Sequence, residues 1–188
     1  MTLVSSKRQL RQKILQQRQS LTQETWQEKS LQLCQVLESC SYFQAAKTIL
    51  AYFPFRQEPD LNSMFKSDHR WGFSRCVDGS LIWHHWTPGN RLNEGTYGIL
   101  EPHFQSPILT PSEVDLILVP AVACDKRGYR LGYGGGFYDR LLSSPQWQNI
   151  PTIGIIFDFA YLPILPVDSW DKPLEAICTE SQIISIYA

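Results

Sequence analysis

Residues 130–139 gather most of the chemistry of this chain: Arg130-Leu131-Gly132-Tyr133-Gly134-Gly135-Gly136-Phe137-Tyr138-Asp139. Glycines at this density are entropically costly and give a core nothing to pack, which suits a loop that takes positive φ or approaches a ligand closely. Successive amides turned into one concavity form an anion nest, and Gly134, Gly135 and Gly136 are spaced to make one. Arg130 adds a planar fork that holds phosphate oxygens two at a time. Asp139 adds a carboxylate able to hold Mg²⁺ against those phosphates, because Mg²⁺ takes one or two carboxylates plus substrate oxygens and water. The plainer alternative is a glycine-rich surface turn, with Asp139 a simple charge in the first turn of a helix. No G-x-x-x-x-G-K-[ST] loop and no G-x-G-x-x-G fingerprint with its downstream acid occurs. What remains favours a triphosphate or a phosphosugar.

The elements that must position this loop can be read from periodicity. The apolar run within 115–119 predicts a buried strand with the glycine loop following it, and ligands of open α/β sheets bind beyond the carboxyl ends of strands. A second such run over 48–53 ends at Pro54, and its exit loop carries Glu58, either a site carboxylate or a solvated loop residue. With Ser5 or Ser6 as cap, 7–19 predicts a first helix. Its stripe of Lys7, Arg11 and Arg18 is either a solvated basic face or a cationic edge that reaches phosphates held elsewhere. Thr22 caps a second helix whose Trp26, Leu33, Val36, Leu37 and Cys40 repeat as a core face.

A short helix over 60–67 precedes two strands, 71–77 and 81–86, around the turn Asp78-Gly79. His84 and His85 are strand neighbours that point to opposite faces, so they cannot chelate one ion together. Residues 87–111 read as a long loop in which Tyr97 stacks on a ring or anchors the loop. A helix from Phe137 to Leu142, broken by Ser143-Ser144-Pro145, leads to strands over 152–157, 176–179 and 183–187.

The totals exclude several classes. The 188 residues fit one domain, 1–188, long enough to bury roughly 70% of the unfolded surface. Seventeen Lys and Arg against 18 Asp and Glu give a net charge of −1, so no global field recommends nucleic acid. Five widely spaced cysteines without a C-x-x-C pair read as reduced core residues of a cytoplasmic protein. No apolar signal core and no run of about 18 apolar residues appears. The expectation is a soluble cytoplasmic protein, a monomer, acting on small molecules rather than on nucleic acid or membrane.

The string R-L-G-x-G-G-G-[YF]-Y-D-R, following Val119-Pro120-Ala121-Val122-Ala123, resembles the signature of the 5-formyltetrahydrofolate cyclo-ligases, also called 5,10-methenyltetrahydrofolate synthetases. Lys7 and Arg11 resemble that family's amino-terminal K-x-x-x-R, Glu58 its acid after the first strand, residues 97–102 its G-I-x-E-P region and Asp171 its late aspartate. With the alternation of strands and helices, the resemblance implies a Rossmann-like α/β fold, a three-layer α/β/α sandwich with a mostly parallel central sheet. It also implies an ATP- and Mg²⁺-dependent cyclisation of 5-formyltetrahydrofolate to 5,10-methenyltetrahydrofolate. ATP would then meet Lys7, Arg11, Arg130, Leu131, Gly132, Tyr133, Gly134, Gly135, Gly136, Phe137 and Tyr138, with Arg130 catalytic. Folate would meet Phe53, Glu58, Tyr97, Tyr133 and Phe137, and Mg²⁺ would be held by Asp139 and Asp171. The chain departs from the pattern at Phe137, where a tyrosine is usual, at Tyr133, where a basic residue is common, and at Glu175, where aspartate is frequent. A phosphosugar isomerase-like enzyme and a non-catalytic nucleotide- or folate-binding regulator are the rival readings.

Overall fold

Short apolar runs that alternate with helix formers build a wound sheet, because each run buries both faces and needs cover on each. The computed structural model describes residues 6–186. The helices are α1 (Lys7–Gln19), α2 (Gln23–Glu38), α3 (Ser41–Ala45) and α4 (Phe137–Ser143). The strands are β1 (Thr48–Ala51), β2 (Arg70–Val77), β3 (Ser80–His85), β4 (Leu92–Glu94), β5 (Leu100–Pro102) and β6 (Leu116–Pro120), then β7 (Ala123–Asp125), β8 (Arg130–Leu131), β9 (Thr152–Ile155), β10 (Tyr161–Leu162), β11 (Ala176–Cys178) and β12 (Ile183–Ser185).

The main sheet runs β12-β11-β9-β6-β1-β2-β3. Its five inner strands are parallel, and β3 and β12 close the edges antiparallel. Counted along the chain, the parallel strands stand in the order 2-1-3-4-5, a doubly wound arrangement whose direction of winding reverses between β1 and β6.

Side chains alternate across the sheet with the two-residue period of a strand. Ile49, Ala51, Leu116, Leu118, Ile153 and Ile155 face one cluster with Leu33 and Leu37 of α2 and Phe43 of α3. Leu50, Ile117, Val119 and Ile177 face the other, with Ile14 of α1 and Leu141 and Leu142 of α4. On that second face Gly154 admits no side chain, since a Cβ there would lie 2.8 Å from Leu174 and 3.0 Å from the Cys124 sulfur. The five cysteines are free thiols, and no helix among the described residues is long and apolar enough to cross a membrane.

Helix α1 starts where its capping box predicts, with Ser6 accepting from the Gln9 amide and the Gln9 side chain accepting from the Ser6 amide. The alternative cap Ser5 and the expected end of the last strand, Tyr187, lie outside the described residues. Besides Cys40, expected on the second helix but found between α2 and the separate short helix α3, two stretches differ from expectation. Inside 87–111, β4 and β5 pair as a hairpin, tied to the main sheet where the Cys76 amide donates to the buried Glu101 carboxylate at 2.9 Å. Its three-residue strands are too short and too polar for a periodic signal. The second difference is a small sheet, β10-β7-β8, built on Asp125. That fully buried carboxylate accepts from the amides of Arg127, Tyr129 and Leu165 and from the Arg127 guanidinium, and so fixes the turn that delivers Arg130.

Candidate active site

The glycine loop leaves β8 and enters α4 through left-handed backbone: Gly134 has φ +106° and Gly136, the residue before the helix, φ +67°. Both positions strain any L side chain. A Cβ on Gly132 would sit 3.3 Å from the Arg130 guanidinium and one on Gly135 2.9 Å from the Phe137 ring. Glycine therefore lets two functional side chains lie against the loop. Leu131 turns its side chain into the core, which leaves it only backbone to offer a ligand.

Helix α1 leans over this loop. Lys7 and Arg11, one turn apart, share a face; the Arg11 Nε donates to the Gly132 carbonyl at 2.7 Å, and the Lys7 ammonium donates to Asp168 at 2.7 Å and Asp171 at 2.5 Å. Partial burial acts to lower the Lys7 pKa, but the two carboxylates outweigh it and the net shift is upward. Arg130 is buried, pairs with Asp139 at 2.6 Å and stacks over the Tyr138 ring at 5.6 Å. Its Nε is buried without an acceptor. A buried donor left unpaired is costly, and a ligand oxygen is the acceptor that would satisfy it.

Asp139 and Asp171 each spend one oxygen on a cation, Arg130 and Lys7 respectively. The other oxygen of each takes no donor among the described residues. No group of three or more His, Cys, Asp or Glu side chains there could hold a metal by itself. Mg²⁺ shared with phosphate oxygens needs only one or two carboxylates, so the donor set fits that ion. Glu175 is occupied structurally, accepting from the Thr152 amide at 2.9 Å and from the Thr152 hydroxyl.

The second candidate site lies beyond β1. Glu58 is 3% exposed and its carboxylate accepts from the Phe55 amide at 3.0 Å. The turn is strained, with Arg56 and Gln57 at φ +49° and +56°. Non-glycine residues in that region cost of order 1–3 kcal/mol each and persist where surrounding bonds impose them. Here the Trp26 indole donates to the Glu58 carbonyl at 2.9 Å and the Gln57 side-chain Nε2 to the Leu21 carbonyl at 3.1 Å. Burial pushes the Glu58 carboxyl up to about 7, against the pull of the Arg18 charge, the Phe55 amide and the Tyr133 hydroxyl.

Arg18 corrects the solvated-face alternative, for it is 2% exposed. It donates to the carbonyls of Arg56 at 3.0 Å and Ala121 at 3.3 Å and to the Tyr133 hydroxyl. Tyr133 thus faces the Glu58 turn, its ring 5.8 Å from that of Phe55. Burial first, and the Glu58 charge second, raise the hydroxyl pKa values of Tyr52, Tyr133 and Tyr138, so Glu58 and the glycine loop share one electrostatic neighbourhood.

Tyr97, 56% exposed, sits at the hairpin tip with its ring edge-on to Phe137 at 6.1 Å, so the hairpin and the start of α4 meet through these two rings. Phe53 is different. It stacks on Phe73 at 4.2 Å and meets Phe65 and Trp86 edge-on, which makes it a core ring. A strand end signals burial but not which way a ring points. The residues that sequence reasoning missed are Asp125 and the buried role of Arg18; neither carries a local signal, since an aspartate in a turn and an arginine on a helix read as solvated.

Sequence comparison matches residues 4–180 to the model of the 5-formyltetrahydrofolate cyclo-ligase family. The Escherichia coli K12 5-formyltetrahydrofolate cyclo-ligase is 32% identical over 178 residues, covering 90% of this chain and 98% of the relative. The Mus musculus 5-formyltetrahydrofolate cyclo-ligase is 26% identical over 194 residues, covering 95% and 96%. The NMR structure of Aquifex aeolicus 5,10-methenyltetrahydrofolate synthetase matches with a TM-score of 0.86 at 31% identity, covering 97% of this chain and 93% of that one. The Mycoplasma pneumoniae 5,10-methenyltetrahydrofolate synthetase matches with a TM-score of 0.73 at 25% identity, covering 92% and 98%.

Proposed function

This chain belongs to the 5-formyltetrahydrofolate cyclo-ligase family, and on that premise we propose that it converts 5-formyltetrahydrofolate and ATP to 5,10-methenyltetrahydrofolate, ADP and phosphate. It would work as a monomeric single domain in the cytoplasm. The observation that carries the reading is the convergence of α1 on the glycine loop, with Arg11 on Gly132, Lys7 on Asp171 and Arg130 on Asp139.

A formyl oxygen is a poor leaving group. Transfer of the γ-phosphoryl of ATP to it gives an iminium phosphate at N5; the lone pair of N10 attacks the formyl carbon, N10 gives up its proton to water, and the C–O bond breaks so that phosphate leaves with the bonding pair and the five-membered methenyl ring remains. Such chemistry needs positioning and charge neutralisation more than a protein nucleophile. Lys7, Arg11 and Arg130 neutralise the phosphates, and Arg130, whose Nε has no acceptor in the protein, has a donor to spare for them. The Gly134, Gly135 and Gly136 amides cradle the phosphate oxygens. Asp139 and Asp171 are the side chains that would hold Mg²⁺, which supplies further charge neutralisation when bound. The Glu58 carboxylate accepts the paired N–H donors of the pterin ring. Tyr97 and Phe137 flank the ring system and its linker.

The test is the growth of methenyltetrahydrofolate absorbance with MgATP, with ADP measured in parallel. ADP formed in step with product supports the assignment. Folded protein that makes neither overturns it; turnover of a sugar phosphate without ATP would favour an isomerase, and ligand binding without ADP release would favour a regulator.

A further inference from the structure

Burying a guanidinium is costly unless its donors are met, and Arg18, in the last turn of α1, lies within 4 Å of no carboxylate oxygen among the described residues. Its fork instead meets the Arg56 carbonyl in the turn after β1, the Ala121 carbonyl just past β6, and the Tyr133 hydroxyl of the glycine loop. Between β1 and β6 the winding of the sheet reverses, the place where doubly wound sheets open a ligand crevice. Arg18 therefore joins both walls of that crevice to the loop that crosses it. Its guanidinium also lies 5.7 Å from the centre of the Tyr133 ring, so Tyr133 is held by ring as well as by hydroxyl.

The groups around Glu58 come from four elements: Arg18 from α1, Tyr52 from the end of β1 together with the Phe55 amide of its own turn, Tyr133 from the glycine loop and Tyr138 from α4. Arg18 alone among them is a cation. We propose that Arg18 is the positioning residue of the pterin subsite, fixing the spacing between the Glu58 turn and Tyr133 and supplying the buried positive charge beside the Glu58 carboxylate, since the cation of the turn itself, Arg56, is exposed and lies over the Phe55 and Tyr133 rings. Folate affinity at neutral pH then depends on a side chain that makes no contact with folate. The inference rests on the cyclo-ligase reading, in which the ionised Glu58 accepts the pterin donors.

The experiment compares the wild-type protein with Arg18→Met and Arg18→Lys, measuring kcat and the KM for 5-formyltetrahydrofolate from pH 6 to 9 at saturating MgATP. Wild-type KM climbs as pH falls through the Glu58 pKa of about 7. In Arg18→Met the climb begins at higher pH. A displacement of one pH unit raises KM at pH 7 by about fivefold, while kcat changes much less. Arg18→Lys keeps the charge without the fork, so it retains the wild-type midpoint but raises KM at every pH. A folded Arg18→Met with wild-type KM and midpoint, or with a loss confined to kcat, overturns the inference. If circular dichroism shows Arg18→Met unfolded, Arg18→Lys decides: raised KM at an unmoved midpoint supports the proposal, and wild-type KM overturns it. A wild-type protein without turnover would remove the cyclo-ligase reading itself, a result distinct from an active wild type whose variants match it.

Discussion

Replacing Arg130 with alanine separates the cost to catalysis from the cost to folding. The guanidinium is buried, spends one nitrogen on Asp139 at 2.6 Å and leaves Nε without a partner. If that face of the fork receives two phosphate oxygens, each charge-assisted bond is worth roughly 1.5–3 kcal/mol. A net loss of about 3–4 kcal/mol corresponds to a fall of about 10²–10³ in kcat/KM. The folding cost is smaller. Breaking a fully buried pair costs about 3–5 kcal/mol because a charge is stranded, but the Asp139 side chain retains 23% exposure and can be hydrated, which reduces the figure to about 1–2 kcal/mol. For a chain of this length that is a melting-temperature decrease of roughly 2–8 °C. Arg130→Lys keeps a charge beside Asp139 but gives up the fork, and should lie between alanine and wild type in turnover while melting near wild type. The assay is initial rate by product absorbance across an ATP series, with thermal melts on the same samples. A folded Arg130→Ala variant with kcat/KM within threefold of wild type would refute a phosphate role for Arg130.

Two further perturbations test the rest of the site. Glu58 is raised from an ordinary 4.5 to about 7 by burial, so the folded state binds its proton more tightly than the unfolded state; its contribution is full below the unfolded value and is lost as pH rises through 7, about 3 kcal/mol in all. Glu58→Gln should flatten that slope in urea denaturation between pH 4.5 and 8, and an unchanged slope would show that Glu58 is not buried as described. Asp139→Asn and Asp171→Asn should each raise the Mg²⁺ concentration for half-maximal rate about tenfold or more, the size expected for losing one charged oxygen ligand at roughly 1.5–3 kcal/mol. Rates that respond to Mg²⁺ as in wild type would take the altered aspartate out of the metal site.

Legibility in the sequence followed the range of the physics. The bounds of α1 and the position of β1 came from caps and apolar runs, which are local, and so did the left-handed glycines before α4. That Lys7 and Asp171 belong to one site was expected only from the order of motifs along a family pattern, and their direct ion pair was not expected, because no local rule brings residues so distant together. Phe53 and Glu58 both follow β1, five residues apart, yet Glu58 folds back to accept from the Phe55 amide of its own turn while Phe53 stacks in the core. Periodicity weakens where a strand ends, so it could not separate the two. Arg18 and Asp125 were out of reach because their burial depends on acceptors and donors supplied by remote segments.

The clasp between the two ends of the chain also bears on how the protein is made. Lys7 reaches Asp168 and Asp171 across 161 and 164 residues, Arg11 reaches Gly132 across 121, and Arg18 reaches Tyr133 across 115. Contacts this remote close late, after the cost of ordering the intervening chain has been met. Helix α1 precedes all of these partners, so during synthesis Arg11 and Arg18 gain Gly132 and Tyr133 once those residues have emerged, and Lys7 gains its two carboxylates only after Asp171 has. A product cut short before Asp168 lacks the acceptors that hold Lys7, and β11 and β12 of the main sheet with them. Of these three cations Lys7 is thus the last to find its partners, after four of the five parallel strands have been made.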